Sequence, residues 1–404
     1  MSSITDPPES TFRLSMLIND TRYRSLTFQA IAAIVIALAF WYLGNNLIQN
    51  LRAAGLNISF SFLDSVSGYD INQTLIAYDS QSTHASAAIV GILNTLLVAV
   101  LACVTATFFG VIAGVLRLSN NWLVGKLMAF YVEIFRNIPV LIWIIIIFTI
   151  MTNVMPAPRD FRGDSPEASM LFDAFAFTNR GVYIPAPIWG AGSLVVVLTF
   201  VASIVGIFAF RRYATKLLFD TGRLLPTFWP SVGLFFVPVI LMHFIMGQPI
   251  TLDYPALSGF NFSGGTQLGG PLIALWFALS IYTGAFIAEN VRAGIQAVSR
   301  GQTEAAAALG MRPGRIMSLV VLPQALRVII PPLISQYLNI TKNSSLAIAV
   351  GYADVTATLG GITLNQTGRA IECILLLMLF YLTISLTISG VMNVYNNAMK
   401  LKER

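Results

Sequence analysis

Seven polar side chains interrupt an apolar stretch near the carboxyl end of the sequence. They fall within ten positions: Gln336, Asn339, Thr341, Lys342, Asn343, Ser344 and Ser345. Since a helix repeats every 3.6 residues, Gln336, Asn339 and Asn343 share one helical face. Amide, ammonium and hydroxyl groups on such a face could replace water around the charged ends of a polar solute. The chemistry that this set supports is therefore binding.

If the stretch crosses a membrane, that much polarity is tolerated only where it faces protein or a water-filled cavity. The residues alone leave two roles open, because such groups either line a solute path or hydrogen-bond neighbouring helices. Lys342 has a third option, which is to reach the outer face of the membrane and anchor its helix. Two acids lie one turn from a basic residue, Glu289 from Arg292 and Glu372 from Arg369, and this spacing favours ion pairs.

A second segment, residues 299–323, combines strong helix formers with corner residues. Ser299 and Gln302 have the spacing of a capping box, and Gly310 suits a left-handed helix cap after the helix formers of 304–309. Pro313 predicts the start of a second short helix, and Pro323 predicts its end. We therefore expect two short helices joined by a sharp corner. A basic segment of this kind between two apolar runs is suited to meeting a partner outside the membrane.

These residues must be positioned by membrane-crossing helices. The chain is 56% hydrophobic and only 10% charged, whereas a soluble domain carries about 25% charged residues. Eight apolar blocks are long enough to cross about 30 Å of hydrocarbon, at 27–48, 88–116, 128–152, 188–210, 228–247, 271–291, 328–350 and 370–396. Pro139 should kink the third block. The fold class expected is an all-α polytopic membrane protein with about eight transmembrane helices.

The basic residues predict the orientation of these helices, because Lys and Arg stay preferentially in cytoplasmic loops. Of the 24 Lys and Arg residues, eighteen fall in segments assigned to the cytoplasm, five in segments assigned to the other side, and Lys342 in a span. Both chain ends are then cytoplasmic, and residues 153–187 and 248–270 are outer loops. The net charge of +6 follows from this topology, so no nucleic-acid partner is expected.

The corner segment resembles a known motif. Glu304-Ala305-Ala306, Gly310 and Leu322-Pro323 are similar to the EAA motif of ABC importer permeases, whose short helix docks on the ATP-hydrolysing subunit. The stretches FIAENVRAGIQAVSRGQTEAA (286–306), VLPQALRVIIPPL (321–333) and YVEIFRNIPVL (131–141) resemble the polar amino-acid branch of that family. The resemblance implies a permease subunit of the bacterial inner membrane that passes polar L-amino acids inward. It also implies a set of ATPase-coupling residues: Glu304, Ala305, Ala306, Gly310, Leu322 and Pro323.

The resemblance also bears on the polar set. The sequence from Lys342 to Leu346 looks like the family's break between two helical pieces, and such a break would expose N–H groups and the positive end of a helix dipole to a substrate carboxylate. This favours a substrate pathway formed by Gln336, Asn339, Lys342, Asn343, Ser344 and Ser345. The long insertion resembles that of the longer permease in broad-range amino-acid importers, which pairs with a different permease. The expected partners are therefore a second permease subunit, ABC ATPase subunits, a periplasmic amino-acid-binding protein, the substrate and membrane lipid.

The same resemblance implies a division of the chain into five segments. They are a cytoplasmic tail (1–26), an extra first transmembrane helix with a periplasmic segment (27–85), the first part of the permease core (86–152), an insertion with periplasmic loops and a transmembrane hairpin (153–270), and the second part of the core (271–404), which carries the coupling segment 299–323. The role of the insertion and the identity of the carried amino acids stay open.

Several other functions find no support in the residues. No G-x-x-x-x-G-K-[S/T] loop is present, so ATP must be hydrolysed on another subunit. No catalytic constellation is found, and the isolated Cys103, Cys373, His84 and His243 do not suggest a metal site, so neither enzyme activity nor a cofactor is expected. A secondary transporter driven by an ion gradient is the alternative, but it would not need the 304–310 helix. A membrane scaffold would leave the polar set unexplained.

Overall fold

The computed structural model describes residues 18, 21–53, 55, 57–163, 166–223 and 225–399. Most of the predicted cytoplasmic tail 1–26 lies outside these residues, and so does the carboxyl end beyond residue 399. The contacts divide the chain into two units, Met1–Ser61 and Phe62–Arg404. Helix α1 of the first unit, Thr21–Ala53, is apolar over its middle turns and exposes large side chains such as Ile34, Phe40 and Trp41. A helix that is apolar all round suits a lipid surrounding.

The second unit is built mainly from helices. They are α2 (His84–Leu116), α3 (Trp122–Asn137), α4 (Val140–Val154), α5 (Ser193–Thr221), α6 (Phe228–Ile245), α7 (Gly270–Gln296), α8 (Arg300–Ala308), α9 (Pro313–Ile316), α10 (Leu322–Asn343), α11 (Leu364–Thr367) and α12 (Ala370–Met399). Tighter 3-10 turns form at Ser61–Asp64, Pro158–Phe161 and Ser344–Val350, and wider π turns at Met317–Val321 and Thr356–Thr363. Among the described residues, seven helical segments are long and apolar enough to cross a membrane, or eight if α3 and α4 count as one span. The predicted all-helical polytopic class is confirmed.

Helices α2 and α7 form the centre of the second unit and run parallel. A Cβ atom on Gly110 would lie 2.6 Å from the Ile287 side chain, and one on Gly114 would lie 2.7 Å from the Ala288 carbonyl oxygen. The two glycines therefore allow the backbones to approach closely, as small residues commonly do between membrane helices. Around this contact the core is fully buried, at Val98, Ala102, Leu275, Ala278 and Leu279.

The third predicted span is not continuous. Helices α3 and α4 meet at an angle of 105° instead of forming one helix over 128–152. Ile138 is extended, with φ −104° and ψ 131°, as a residue before proline prefers. Pro139 then precedes the first turn of α4, where its missing N–H costs no hydrogen bond. The sequence predicted a kink at Pro139, but the bend is large enough to separate two helices.

The insertion contains short strands where loops were expected. Strands β1 (Ala176–Thr178), β2 (Gly181–Ile184) and β7 (Thr266–Gly269) form an antiparallel sheet, β3 (Ala186–Trp189) pairs with β4 (Ile250–Asp253), and β5 (Ala256–Ser258) pairs with β6 (Asn261–Ser263). The pairing of β2 with β7 joins the two ends of the insertion across the α5–α6 hairpin. Because 186–189 is a strand, the fourth predicted span begins at Ser193 and not at 188. Strands of three or four residues are too short to leave a periodic pattern.

Candidate functional site

The corner after α8 has the geometry that the sequence predicted. Gly310 is left-handed, with φ +76°. Its N–H donates to the Ala307 carbonyl at 2.9 Å, and the Met311 N–H donates to the Ala306 carbonyl at 3.3 Å. These two bonds define a Schellman cap, in which glycine avoids the steric cost of a Cβ atom. The backbone therefore turns sharply between α8 and α9, and α9 starts at Pro313 as expected.

Two local predictions for this segment are wrong. Ser299 precedes α8, but its side chain makes no capping hydrogen bond, and its carbonyl accepts the Gln302 N–H instead. Pro323 does not end a helix. The π turn at Met317–Val321 widens the helix before it, so that the proline ring avoids the clash it would meet in a regular α-helix. The chain therefore continues from α9 into α10 as one helical path.

Helix α8 packs on the rest of the second unit through one buried side chain. Ala306 is buried against Ile316 and Val321. Glu304 and Ala305 are exposed, and Leu309 at the corner is 82% exposed. Of the six predicted coupling residues, only Ala306 packs inward; Glu304, Ala305, Gly310, Leu322 and Pro323 are on the surface. The helix thus offers a mixed surface with one large apolar side chain.

Ser335, Asn339 and Lys342 of α10 lie on the face that points away from the rest of the second unit, and Gln336 and Asn343 flank that face. Ile329, Ile340 and Thr341 are buried on the opposite face, which packs towards α2 and α7. We call the outward set the polar stripe, and its members are Ser335, Gln336, Asn339, Lys342 and Asn343. Ser335, Asn339 and Lys342 are exposed, and Gln336 and Asn343 are half-buried beside them. The side chains of Asn339 and Lys342 make no hydrogen bond or ion pair with other described residues, so the helix-bonding alternative is not realised for these two side chains in the part of the chain that the structure describes.

The predicted break at 342–346 is not observed. The Ser344 N–H donates to the carbonyls of Ile340 and Lys342, and the helix continues as a 3-10 turn to Val350. The Ser344 hydroxyl donates to the Thr341 carbonyl at 2.7 Å, and that of Ser345 donates to Lys342 at 2.8 Å. A tighter turn satisfies backbone groups that a break would leave open. The free N–H groups predicted for this position are therefore absent.

The helical path ends later, at Gly351, where φ is +75°. Helix α2 holds the following turn in place: the Asn94 amide donates to the Ala353 carbonyl at 2.9 Å, and the Val355 N–H donates to the Thr95 hydroxyl at 3.0 Å. This part of α2 lies within the helix and not at its start, because α2 begins at His84. The turn is therefore fixed to the centre of the fold.

Asp354 in this turn is fully buried. Its Oδ1 accepts the Ala357 N–H at 2.8 Å, while burial raises its pKa to about 6. Asn94, Thr95 and Asp354 are not among the residues predicted from the sequence. The signal was present, since Asn94 and Thr95 are a polar pair inside an apolar block, but their partners are about 260 residues away.

Both predicted ion pairs are confirmed. Arg292 reaches Glu289 at 2.5 Å, and Arg369 reaches Glu372 at 3.3 Å. Arg117 at the end of α2 also pairs with Glu289. This third contact links α2 to α7 where both helices end, and no local spacing could have predicted it.

Comparison with known proteins gives consistent matches. Residues 195–401 match the family described as binding-protein-dependent transport system inner membrane component. The chain is 52% identical to the glutamate/glutamine/aspartate/asparagine transport system permease protein BztB of Rhodobacter capsulatus, with all of both chains covered. It is 43% identical to the general L-amino acid transport system permease protein AapQ of Rhizobium johnstonii, over 98% of the chain and 96% of the relative. It is 44% identical to the putative amino-acid ABC transporter permease protein YhdX of Escherichia coli K12, over 98% of the chain and 99% of the relative.

Proposed function

The chain belongs to the inner membrane components of binding-protein-dependent transport systems, the permeases of ABC importers, and we propose that it carries polar L-amino acids into the cell. The names of two relatives support this substrate class, since one transports glutamate, glutamine, aspartate and asparagine and the other transports L-amino acids generally. The alternative of an ion-driven secondary transporter finds no support in these matches. We place the chain in the bacterial inner membrane with its α8 corner in the cytoplasm.

The observation that carries the proposal is the outward direction of the polar stripe. The segment Pro313–Val350 is long and apolar enough to cross a membrane, and a lysine at the centre of a bilayer costs about 2.5–3.5 kcal/mol or more. Lys342 and Asn339 have no partner among the described residues that would offset this cost. A water-filled path between this chain and a second permease subunit would hydrate them. In that path Lys342 meets the substrate carboxylate, while Gln336, Asn339 and Asn343 offer amide groups.

The α8 corner supplies the proposed connection to ATP hydrolysis. Glu304, Ala305 and the corner residue Leu309 are exposed, and no nucleotide-binding loop occurs in the sequence. A separate ABC ATPase that holds α8 could therefore move α9 and α10 together, because these helices form one path through the π turn. A periplasmic amino-acid-binding protein would deliver substrate on the opposite side. In this scheme 86–152 and 271–404 form the permease core, while 1–26, 27–85 and 153–270 are additions to it.

Uptake by the purified complex in proteoliposomes tests the proposal. Labelled glutamate, glutamine and a basic amino acid are supplied with the binding protein on one side, and ATP on the side of α8. We expect accumulation that requires ATP and persists when ionophores collapse all ion gradients. Accumulation that ionophores abolish and ATP does not support would overturn the assignment in favour of a secondary transporter.

A further inference from the structure

Two cavities follow one another along the end of α2, where it meets α3 and α7. The first, which we call the basic cup, has a volume of about 330 Å³ and is lined by Arg117, Lys126 and Arg292 together with Trp122 and Gly125. The second, the apolar groove, has a volume of about 440 Å³ and is lined only by apolar and aromatic residues: Phe109, Ile112, Ala113, Leu116, Met128, Tyr131, Phe135, Phe277 and Ile281. Leu116 lines the groove and Arg117, the next residue, lines the cup. Both volumes suit a small-molecule ligand.

The cup carries an excess of positive charge. Arg117 and Arg292 share a single carboxylate, that of Glu289. Lys126 is exposed and makes no ion pair with the described residues. The three positive charges at the cup are therefore balanced only in part, by the carboxylate of Glu289. Such a site attracts an anion. Since α2 and α7 both end here, the cup lies at the level where membrane helices meet the head groups of lipids.

The surface beside the cup is apolar and exposed. Leu123, Leu127 and Phe130 follow one another on α3 at spacings of four and three residues, with exposed fractions of 57%, 53% and 64%. Trp122 is 74% exposed at the start of the same helix, and tryptophan is enriched at membrane interfaces. A soluble anion would bind in the cup but would contact neither the groove nor these apolar side chains. A molecule with a charged head and an apolar tail matches both.

We propose that the cup and groove form a binding site for an anionic phospholipid. The phosphodiester lies among Arg117, Lys126 and Arg292, and one acyl chain enters the groove between α2 and α3. Basic pockets between membrane helices on the cytoplasmic side are a recurrent form of lipid recognition. The site is separate from the polar stripe of α10, so it would regulate or stabilise the permease without touching the substrate.

Lipid titration followed by native mass spectrometry tests the site. The sample is the full chain, purified in complex with the second permease subunit and the ATPase subunits. We expect phosphatidylglycerol to bind more tightly than phosphatidylcholine. Lys126→Gln should weaken phosphatidylglycerol binding about fivefold, since one basic residue near a lipid head group contributes about that factor. Lys216→Gln, which removes an exposed lysine on α5, is the matched control and should leave binding unchanged.

A second variant tests the cup by volume and not by charge. A Cβ atom on Gly125 would meet nothing closer than the Arg117 carbonyl oxygen at 3.7 Å, and Gly125 lines the cup, so Gly125→Leu is expected to reduce the volume of the cup. It should also reduce phosphatidylglycerol binding. Equal losses in Lys126→Gln and Lys216→Gln would overturn the proposal, as would displacement of the lipid by inorganic phosphate, which would indicate a soluble ligand. Absence of bound lipid in the assembled complex would mean that the ATPase covers the cup, and would equally overturn it.

Discussion

At the scale of single residues, charge inside the membrane separates a transport role from a structural one. Lys342 is exposed on α10 and has no partner among the described residues, whereas Glu289 and Glu372 are held by arginines in the same chain. The two acids are therefore satisfied within the fold. Lys342 needs water, substrate or another subunit.

Replacing Lys342 tests the substrate path. Lys342→Met keeps much of the side-chain length and removes the charge, so transport should fall strongly while insertion and assembly persist. Lys342→Arg keeps the charge and should retain more activity, although its donor geometry differs. ATP-driven uptake is compared in membranes with matched amounts of assembled complex. Unchanged uptake of acidic, neutral and basic amino acids by the methionine variant would leave Lys342 as an anchor of its helix.

Asp354 predicts a specific dependence of stability on pH. Burial raises its pKa from 3.8 to about 6, so the folded chain holds this proton more tightly than the unfolded chain does. The contribution of Asp354 to stability is therefore greatest below about pH 4 and is lost as the pH rises through 6, with a cost of about 2–3 kcal/mol at neutral pH. Asp354→Asn cannot ionise and keeps an oxygen for the Ala357 N–H.

Thermal unfolding of the detergent-solubilised chain measures this effect between about pH 4 and 7, because that range spans both the ordinary pKa of Asp354, 3.8, and the raised value of about 6. The wild-type protein should lose stability relative to Asp354→Asn as the pH rises. Asp220→Asn, at an exposed position of α5, should follow the wild type. Parallel curves for wild type and Asp354→Asn would contradict the prediction, because they would show that folding does not raise the pKa of Asp354.

At the scale of elements, the corner between α8 and α9 transmits movement only if its shape is fixed. Ala306 is the buried residue of α8, so the Schellman cap at Gly310 sets the angle between this helix and the path into α10. The two bonds of that cap both depend on the left-handed conformation. A change at this glycine should therefore act on coupling more than on the membrane core.

Gly310→Val tests that connection. A side chain in the left-handed region costs about 1–2 kcal/mol, and a β-branched one fits it poorly. We expect weaker ATPase association and lower uptake per complex. Gly314→Ala is the matched control, because Gly314 is a nearby glycine with open space and no positive φ. Normal uptake by Gly310→Val would remove the corner from the coupling route.

The sequence predicted elements well where the signal is local. Long apolar blocks located the membrane helices, and the glycine at 310 located a left-handed corner. The errors arose where a distant partner decides the conformation. The turn after Gly351 is fixed by Asn94 and Thr95, and the strands of the insertion pair across the α5–α6 hairpin. The polar stripe was identified as a set, but its outward direction depends on which face of α10 packs on α2 and α7.

At the scale of the whole molecule, the described residues do not enclose the polar stripe. The core of the chain is the contact of α2 with α7, to which α10 adds its apolar face. The polar stripe is left on the outside, so the path we propose has only one wall in this chain. The second wall is expected from another permease subunit.

Site-specific photo-crosslinking in native membranes tests most directly whether the polar stripe faces a second permease subunit. A photoreactive amino acid replaces Asn339 in the polar stripe, or Val205, which is 62% exposed on α5, as a lipid-facing reference. We expect position 339 to crosslink to a second permease chain, with a yield that amino-acid substrate changes, and position 205 to crosslink mainly to lipid. Crosslinking of both positions to lipid alone would contradict this expectation, because the polar stripe would then face the bilayer.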